Sequence, residues 1–145
     1  MNVFTIGFTK KTAEIFFNLL RDNQVQTLID VRLNNWSQLA GFAKSTDLKF
    51  FLRELCQADY IHAIDLAPTK DILDGYKDKS IAWDEYSKKF IDLLTSRKAE
   101  YVLSKEQLEQ SCFLCSESKP DHCHRRLVVE YLMEHSGFQI KVKHL

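Results

Sequence analysis

The residues best suited to chemistry lie in one short stretch, Cys112 to Arg126. This stretch holds three cysteines, two histidines, Glu117 and two arginines. Thiols act as nucleophiles or metal ligands, imidazoles and carboxylates exchange protons, and guanidiniums hold phosphate or carboxylate groups. A loop that only joined two elements would not require this set of side chains. We therefore predict a functional site in this stretch.

The order of local elements predicts where this site lies. Cys112 to Cys115 is a short, mostly apolar run typical of a buried strand, and residues 116–121 have the composition of a turn. From His122 the apolar residues follow a helical spacing, at Leu127, Val128, Tyr131 and Leu132. Strand, turn and helix in this order place the turn at the carboxyl end of a strand, where open α/β sheets bind ligands.

A second pair of polar residues ends another apolar strand, predicted over residues 27–32. Asp30 and Arg32 are two residues apart on it, so their side chains point to the same side of the sheet. They form either a local ion pair or part of the site. We favour the site, because burying a charged pair for structure alone seldom stabilises a protein.

Hydroxyl groups elsewhere supply further candidates for substrate binding. Thr9 follows Gly7 in the first strand-to-helix turn, although the same turn is also compatible with an ordinary helix cap. Ser37 lies in a loop over residues 34–42 that is long enough to cover a site. Tyr86 belongs to a predicted helix over 83–97 and could direct its hydroxyl to the site, with core packing as the default.

The whole pattern predicts a single α/β domain over residues 1–145, with a predominantly parallel sheet covered by helices on both faces. Strands are predicted at 3–6, 27–32, 60–66, 112–115 and 138–142. Helices are predicted from about 13 to 23, over 45–56, 71–76 and 83–97, and from 122, with a looser helical segment at 99–110.

The composition argues against several classes of protein, such as strongly basic nucleic-acid-binding proteins and membrane-spanning proteins. Twenty basic residues balance 20 acidic ones, which disfavours a strong sequence-independent grip on nucleic acid but leaves room for a local patch. No apolar stretch is long enough to span a membrane, and no signal peptide opens the chain. The four cysteines are unevenly spaced and do not resemble a disulfide framework, so we expect a cytoplasmic protein.

Three chemistries fit the central stretch. The first is anion recognition by Arg125 and Arg126, which lie in the opening turns of the helix, where cations are unfavourable unless an anion faces them. Ion pairs with Glu117, Asp121 or Glu130 are the alternative explanation for these arginines.

The second chemistry is nucleophilic catalysis by Cys123 near the helix N-terminus. Against it, Val129 stands six residues later, where phosphatase-like and sulfurtransferase-like loops carry an arginine. The third is zinc held by Cys112, Cys115, Cys123 and His124. Against it, Cys112 and Cys115 point to opposite faces of a strand, and adjacent residues of a helix diverge by about 100°. We predict no cofactor and keep zinc as a weaker alternative.

Several motifs together resemble the DUF488 family, whose function is unknown. They are Thr5-Ile6-Gly7, Leu28 to Arg32, Leu66 to Lys70, Tyr86, Leu114 to Glu117, Cys123 to Leu127 and Lys143-His144-Leu145. Phe8 and Thr9 depart from the family's usual His-Ser, and Asn35-Trp36 stand where a proline commonly precedes the loop serine. The resemblance implies a compact α/β domain and groups Asp30, Arg32, Cys115, Glu117, Cys123, His124 and Arg125 in one site. It does not supply a reaction.

We therefore expect an enzyme with an anion-binding pocket at the strand ends. The expected substrate is a phosphate-containing small molecule, a nucleotide or a nucleic-acid end. The candidate catalytic residues are Glu117, His124, Cys123 and Asp30, and the candidate substrate-binding residues are Arg32, Arg125, Arg126, Thr9, Ser37, Cys115 and Tyr86. The alternatives are a non-enzymatic module, which might bind nucleic acid, and a zinc-stabilised interaction domain. The sequence predicts no particular oligomeric state.

Overall fold

A five-stranded sheet forms the centre of the protein in the computed structural model, which describes residues 1–36 and 40–145. The strands are β1 (Asn2–Gly7), β2 (Thr27–Asp30), β3 (Asp59–His62), β4 (Ser111–Cys115) and β5 (Lys141–His144). Their order across the sheet is β3-β2-β4-β1-β5, and every described pairing is parallel. The predicted α/β fold with a parallel sheet is confirmed.

Helices connect the strands. They are α1 (Ala13–Asp22), α2 (Ser45–Phe51), α3 (Lys70–Lys77), α4 (Trp83–Ser96), α5 (Lys105–Leu108) and α6 (His124–His135). A wider π-type turn, Leu52–Cys56, continues α2, and short 3₁₀ turns occupy Gly41–Ala43, Ile64–Leu66 and Ala99–Tyr101. None of the described helices has both the length and the apolar character needed to cross a membrane.

The two faces of the sheet are covered by different helices. Neighbouring residues on a strand point to opposite faces, and the buried core divides accordingly. Ile29 and Phe113 pack on the face covered by α4 and α6, whereas Leu28, Cys112 and Leu114 pack on the face covered by α1 and α2. Strands buried on both sides explain why their sequences read as continuous apolar runs.

Local signals fix several helix starts. The Thr12 hydroxyl accepts a hydrogen bond from the backbone N–H of Ile15 at the start of α1. Ser104 and Gln107 form a reciprocal capping box on α5. The helix α6 begins at His124, two residues later than predicted. Cys123 precedes it in the cap position, with an extended backbone. Cys123 is therefore outside the helical geometry that the sequence analysis assigned to it.

Two predicted strands have different bounds in the structure. β3 pairs with β2 only as far as His62, opposite Asp30, and the apolar segment after it turns into the 3₁₀ turn Ile64–Leu66. β5 begins at Lys141, and the preceding Phe138 and Ile140 pack against the core instead of pairing. Apolar residues indicate burial, but sheet pairing also requires a free partner edge, which the local sequence does not reveal.

The sheet order brings three strand ends together. β4 lies between β1 and β2, so Cys115 is opposite Gly7 and Leu114 is opposite Asp30. The chain leaves these central strands in different directions, and such a switch in strand order opens a crevice at the carboxyl ends of the strands. Six of the residues singled out in the sequence line a cavity at this edge.

Candidate functional site

A cavity of about 410 Å³ lies at the carboxyl edge of the sheet. Six of the predicted site residues line it: Arg32, Tyr86, Cys115, Glu117, Cys123 and His124. They come from the end of β2, from α4, from the end of β4 and its loop, and from the start of α6. The structure thus brings together residues that are up to 92 positions apart in the chain (32 to 124).

The opposite wall of the cavity comes from a segment that the sequence analysis did not single out. Tyr76 and Lys77 at the end of α3, and Lys79 just after it, line the cavity beside His122. Both lysines are exposed. No motif marks this segment, whose only sequence signal is a pair of lysines in a polar turn next to aromatic residues.

Aromatic rings support that wall. The Tyr76 ring lies 4.9 Å from the ring of Tyr86, and the Trp83 ring stacks on Tyr86 at 5.3 Å and on His122 at 4.9 Å between centroids. Tyr86 is buried, and burial raises the pKa of its hydroxyl. Tyr86 therefore serves the core and the cavity wall at once.

Asp30 and Arg32 form a buried ion pair beneath the cavity. Nε of Arg32 donates to Oδ1 of Asp30 at 2.9 Å, and Nη2 donates to Oδ2 at 2.8 Å. The carboxylate also accepts hydrogen bonds from the backbone N–H of Arg32 and from the hydroxyl of Tyr60. Asp30 is fully buried and does not line the cavity, so its predicted catalytic role has no direct access to a ligand there.

One nitrogen of the Arg32 guanidinium, Nη1, takes no part in these hydrogen bonds. Nη2 of Arg32 also donates to the carbonyl oxygen of Ala43, and the ring of Phe8 lies 5.3 Å from Cζ. Among the described residues, the buried Nη1 finds no hydrogen-bond partner. Buried polar groups in proteins are seldom left without a partner, and an unmatched guanidinium nitrogen at a cavity wall is a donor suited to an anion.

Arg125 lies under the floor of the cavity. Its side chain is fully buried and donates to the carbonyl oxygens of Glu117 and Ser118, to the Thr5 hydroxyl, and to the sulfur of Cys115. Burial lowers the pKa of Arg125 to about 10. The guanidinium thus holds the loop after β4 from within the protein, which explains a cation at the start of a helix without an external anion.

Arg126 points away from the cavity. Nε of Arg126 lies 3.2 Å from a carboxylate oxygen of Glu130, one of the ion pairs that the sequence analysis kept as an alternative, and its guanidinium lies 6.0 Å from the ring of Trp83. Adjacent residues on a helix diverge by about 100°, so one of the two arginines faces the core when the other faces outward. The two arginines that were predicted to bind the substrate together therefore lie in different places.

The predicted hydroxyl residues have separate positions. Thr9 is exposed, and both its backbone N–H and its hydroxyl donate to the carbonyl oxygen of Ser116. Thr9 therefore ties the first strand-to-helix turn to the loop after β4. Ser37 lies outside the described residues.

His124 has a defined proton arrangement. Its Nε2 lies 2.7 Å from the carbonyl oxygen of Val31 and must be the donor, because a carbonyl oxygen only accepts. Nδ1 therefore carries the lone pair in the neutral ring. Burial is the main reason that the pKa of His124 falls to about 4, and the nearby charge of Arg125 also lowers it. At neutral pH the ring of His124 is therefore uncharged, and Nδ1 can accept a hydrogen bond.

Cys115 and Cys123 are joined by a disulfide across the turn. The sequence analysis predicted no disulfide framework and gave no reason for this pair, so the structure corrects it. Cys112 and Cys56 are free, and Cys112 is buried on the opposite face of the sheet. That placement confirms the expectation that Cys112 and Cys115 point to opposite sides of the strand.

Cys123 and His124 are not adjacent residues of one helix, which bears on the weaker zinc alternative. Because Cys123 precedes the helix, its sulfur and one ring nitrogen of His124 lie within 4.8 Å of each other and of the Cys115 sulfur. These three residues could in principle hold a soft cation such as zinc. In this structure the two sulfurs bond to each other, which makes a zinc site a weak alternative.

A comparison with models of protein families shows to which family the chain belongs. The model of the family described as Domain of unknown function DUF488 matches residues 12–132, which is most of the chain. The chain belongs to the DUF488 family. The matched range includes every residue that lines the cavity, and it confirms the resemblance noted in the sequence. Comparisons with curated proteins and with solved structures give no match.

The DUF488 site offers a definite set of chemical groups. Nδ1 of His124 can accept a hydrogen bond, Glu117 is exposed and lines the cavity, and Cys115 and Cys123 line it as well. Lys77, Lys79 and the unmatched nitrogen of Arg32 supply positive charge.

Proposed function

We propose that this protein is an enzyme that binds a phosphate-containing small molecule, such as a nucleotide, in the cavity at the carboxyl edge of the sheet. The observation that carries the proposal is Nη1 of Arg32, a buried nitrogen without a partner among the described residues, on a residue that lines the cavity. A phosphate oxygen at this position would accept the hydrogen bond that the protein leaves unmade.

The surroundings of Arg32 support an anionic ligand. Lys77 and Lys79 lie on the same cavity and can approach a phosphate from the solvent side. Asp30 neutralises much of the charge of Arg32 through their ion pair, so Arg32 offers directed N–H groups and the two lysines supply most of the positive charge. Glu117 is the one carboxylate among the described residues that line the cavity.

The aromatic wall supports a ligand with a planar part. Tyr76, Tyr86 and His122 border the cavity, and base-like rings gain free energy by stacking on such side chains. A cavity of about 410 Å³ is within the size range of small-molecule sites. A nucleotide, with one phosphate end and one planar end, therefore fits this chemistry better than inorganic phosphate alone.

The proposed catalytic residues are Glu117 and His124. His124 presents Nδ1 as a hydrogen-bond acceptor, and Glu117 is exposed and lines the same cavity. The Glu117 carboxylate takes the proton of the attacking group and returns it to the leaving group, while Nδ1 of His124 orients the attacking group. The competing function is a binding module in which the same cations hold the ligand and nothing is turned over.

Isothermal titration calorimetry with AMP, adenosine and inorganic phosphate tests the proposal. We expect AMP to bind more tightly than either fragment, and to bind about tenfold more weakly to the variant with both Lys77→Ala and Lys79→Ala, with a smaller difference at high salt. The matched control replaces Lys88 and Lys89, two exposed lysines on α4 that are not on the cavity. Equal loss in both variants, or no binding of any of the three compounds, would contradict the proposed pocket.

Catalysis is tested separately from binding. For each compound that binds, products are sought by chromatography with the native protein, with Glu117→Gln and with His124→Gln. An enzyme loses turnover in these variants while it keeps the ligand. Binding without any product in the native protein would instead favour the binding module.

A further inference from the structure

The sulfur atoms of Cys115 and Cys123 meet at the cavity, although they are eight positions apart in the chain. Cys115 ends β4, and Cys123 caps α6, so the sheet and the helix each fix one partner. We propose that this pair is a redox-active dithiol centre, and that low-molecular-weight disulfides entering the cavity oxidise it to the Cys115–Cys123 disulfide. This activity does not depend on the phosphate-containing ligand proposed above.

The other two cysteines, Cys112 and Cys56, do not line the cavity. Cys112 is completely buried on the other face of the sheet, and burial raises the pKa of its thiol. Cys56 packs beside α1 and donates its S–H to the carbonyl oxygen of Phe17. Cys115 and Cys123 line the cavity although they are only 1% and 3% exposed, whereas Cys56 is partly exposed to solvent away from it. Cys112 and Cys56 therefore serve as a buried control and a partly exposed control in the same molecule.

Arg125 makes Cys115 the more reactive sulfur toward an incoming disulfide. Nη1 of Arg125 lies 3.0 Å from the Cys115 sulfur, and the guanidinium is held there by the carbonyl oxygens of Glu117 and Ser118. A fixed positive charge at hydrogen-bond distance favours the thiolate, which is the form that attacks disulfides. We therefore assign Cys115 as the attacking residue and Cys123 as the resolving one.

His124 borders the sulfur pair. One of its ring nitrogens lies within 4.8 Å of both sulfurs, and the ring is held in place by the hydrogen bond from Nε2 to the carbonyl oxygen of Val31. The neutral ring therefore helps to fix the wall of the cavity beside both sulfurs.

The reaction balances with one disulfide as the oxidant. The Cys115 thiolate attacks one sulfur of the disulfide, the sulfur–sulfur bond of that molecule breaks, and the first small thiolate leaves. Cys123 then attacks the Cys115 sulfur, the bond between Cys115 and the small molecule breaks, and the second small thiol leaves with the proton of Cys123. The proton of the original Cys115 thiol ends on the first small thiolate. The protein dithiol is oxidised and the small disulfide is reduced to two thiols.

Trapping with glutathione disulfide tests the assignment in the full chain. The reduced native protein should lose two thiols and form the Cys115–Cys123 disulfide, as read by peptide mass mapping. The Cys123→Ser variant has no resolving sulfur and should keep one glutathione on Cys115, formed at least about tenfold faster than on Cys56 of the same molecule. The Cys115→Ser variant should gain much less glutathione at Cys123.

Several outcomes would overturn the proposal. One is glutathione on Cys115 of Cys123→Ser at the rate of Cys56; another is an adduct that forms readily on Cys123 alone. A native protein that keeps both thiols while it carries about one zinc per chain would also overturn it, since the pair would then be a metal site. Mapping the native protein needs no substitution, so the result remains decisive even if a variant fails to fold. None of these readouts uses phosphate binding, so this proposal and the proposed function can fail separately.

Discussion

Gly7 lies directly against the backbone of Glu117, with no room for a side chain between them. A Cβ atom placed on Gly7 would overlap the carbonyl oxygen of Glu117 and lie 3.0 Å from Nη1 of Arg125. A glycine between a strand and a helix can serve to let backbone N–H groups approach a ligand. Gly7 instead makes room for the site loop, which Arg125 then holds by the same carbonyl oxygen.

Replacement of Gly7 by alanine should therefore displace the loop after β4. We expect Gly7→Ala to lower the free energy of unfolding by about 3 kcal/mol or more, because the clash is with backbone that cannot simply rotate away. Urea unfolding measures this change. Gly41→Ala is the control, since a Cβ there meets no described atom within 4 Å, and it should alter stability only slightly. Similar effects of both substitutions would refute the packing argument.

The two adjacent arginines should differ sharply in their contribution to stability. Arg125→Met leaves the carbonyl oxygens of Glu117 and Ser118 without their buried donor, and we expect a loss of about 3 kcal/mol or more. Arg126→Met removes a partly exposed ion pair with Glu130 and should cost less than about 1 kcal/mol. Chemical denaturation of both variants gives the comparison. A larger loss for Arg126→Met would contradict the assigned roles.

Acid should destabilise the protein through His124. The folded pKa of about 4 lies below the unfolded value near 6.5, so the unfolded chain binds the proton first as the pH falls. Stability attributable to His124 is present at neutral pH and is lost progressively from about pH 6.5 downward. Relative to His124→Gln, whose amide can still donate to Val31, the native protein should lose about 2 kcal/mol between pH 7 and pH 4.5.

This measurement is urea unfolding at several pH values, with both proteins kept in the same thiol redox state. Other groups contribute to the pH dependence of both proteins, so the difference between them isolates His124. Parallel stability curves for the two proteins would show that His124 titrates normally in the folded state.

Tyr60 should stabilise the Asp30–Arg32 pair. Its hydroxyl donates to Oδ2 of Asp30 at 2.7 Å, and burial, followed by the Asp30 charge, raises its pKa. Hydrogen bonds to a charged group contribute about 1.5–3 kcal/mol, so Tyr60→Phe should cost about 2 kcal/mol in urea unfolding. Tyr101→Phe, at an exposed position, is the control and should have almost no effect. If Tyr60→Phe also leaves stability unchanged, the buried carboxylate does not need this donor.

The sequence by itself determined the fold class and the region of the site. Apolar runs alternating with helical stripes are sufficient to indicate an α/β sheet, because the burial of strands and helices imposes those two periods. Polar residues at the ends of apolar strands pointed to Arg32, Cys115 and Glu117, since parallel strands end at one edge. The family motifs joined these strand ends with Cys123 and His124 in advance of any coordinates.

The tertiary structure decided the division of roles within that region. Arg125 faces the interior and Arg126 the outside, because the phase of α6 depends on how the helix packs and on a start two residues later than predicted. Lys77 and Lys79 join the site only because α3 folds against α4 beside the strand ends. The pairing of Cys115 with Cys123 depends on the path of the turn between them. Contacts between segments that are distant in the chain depend on how the helices and strands pack. The periodicity of one sequence predicts the helices and strands but not this packing.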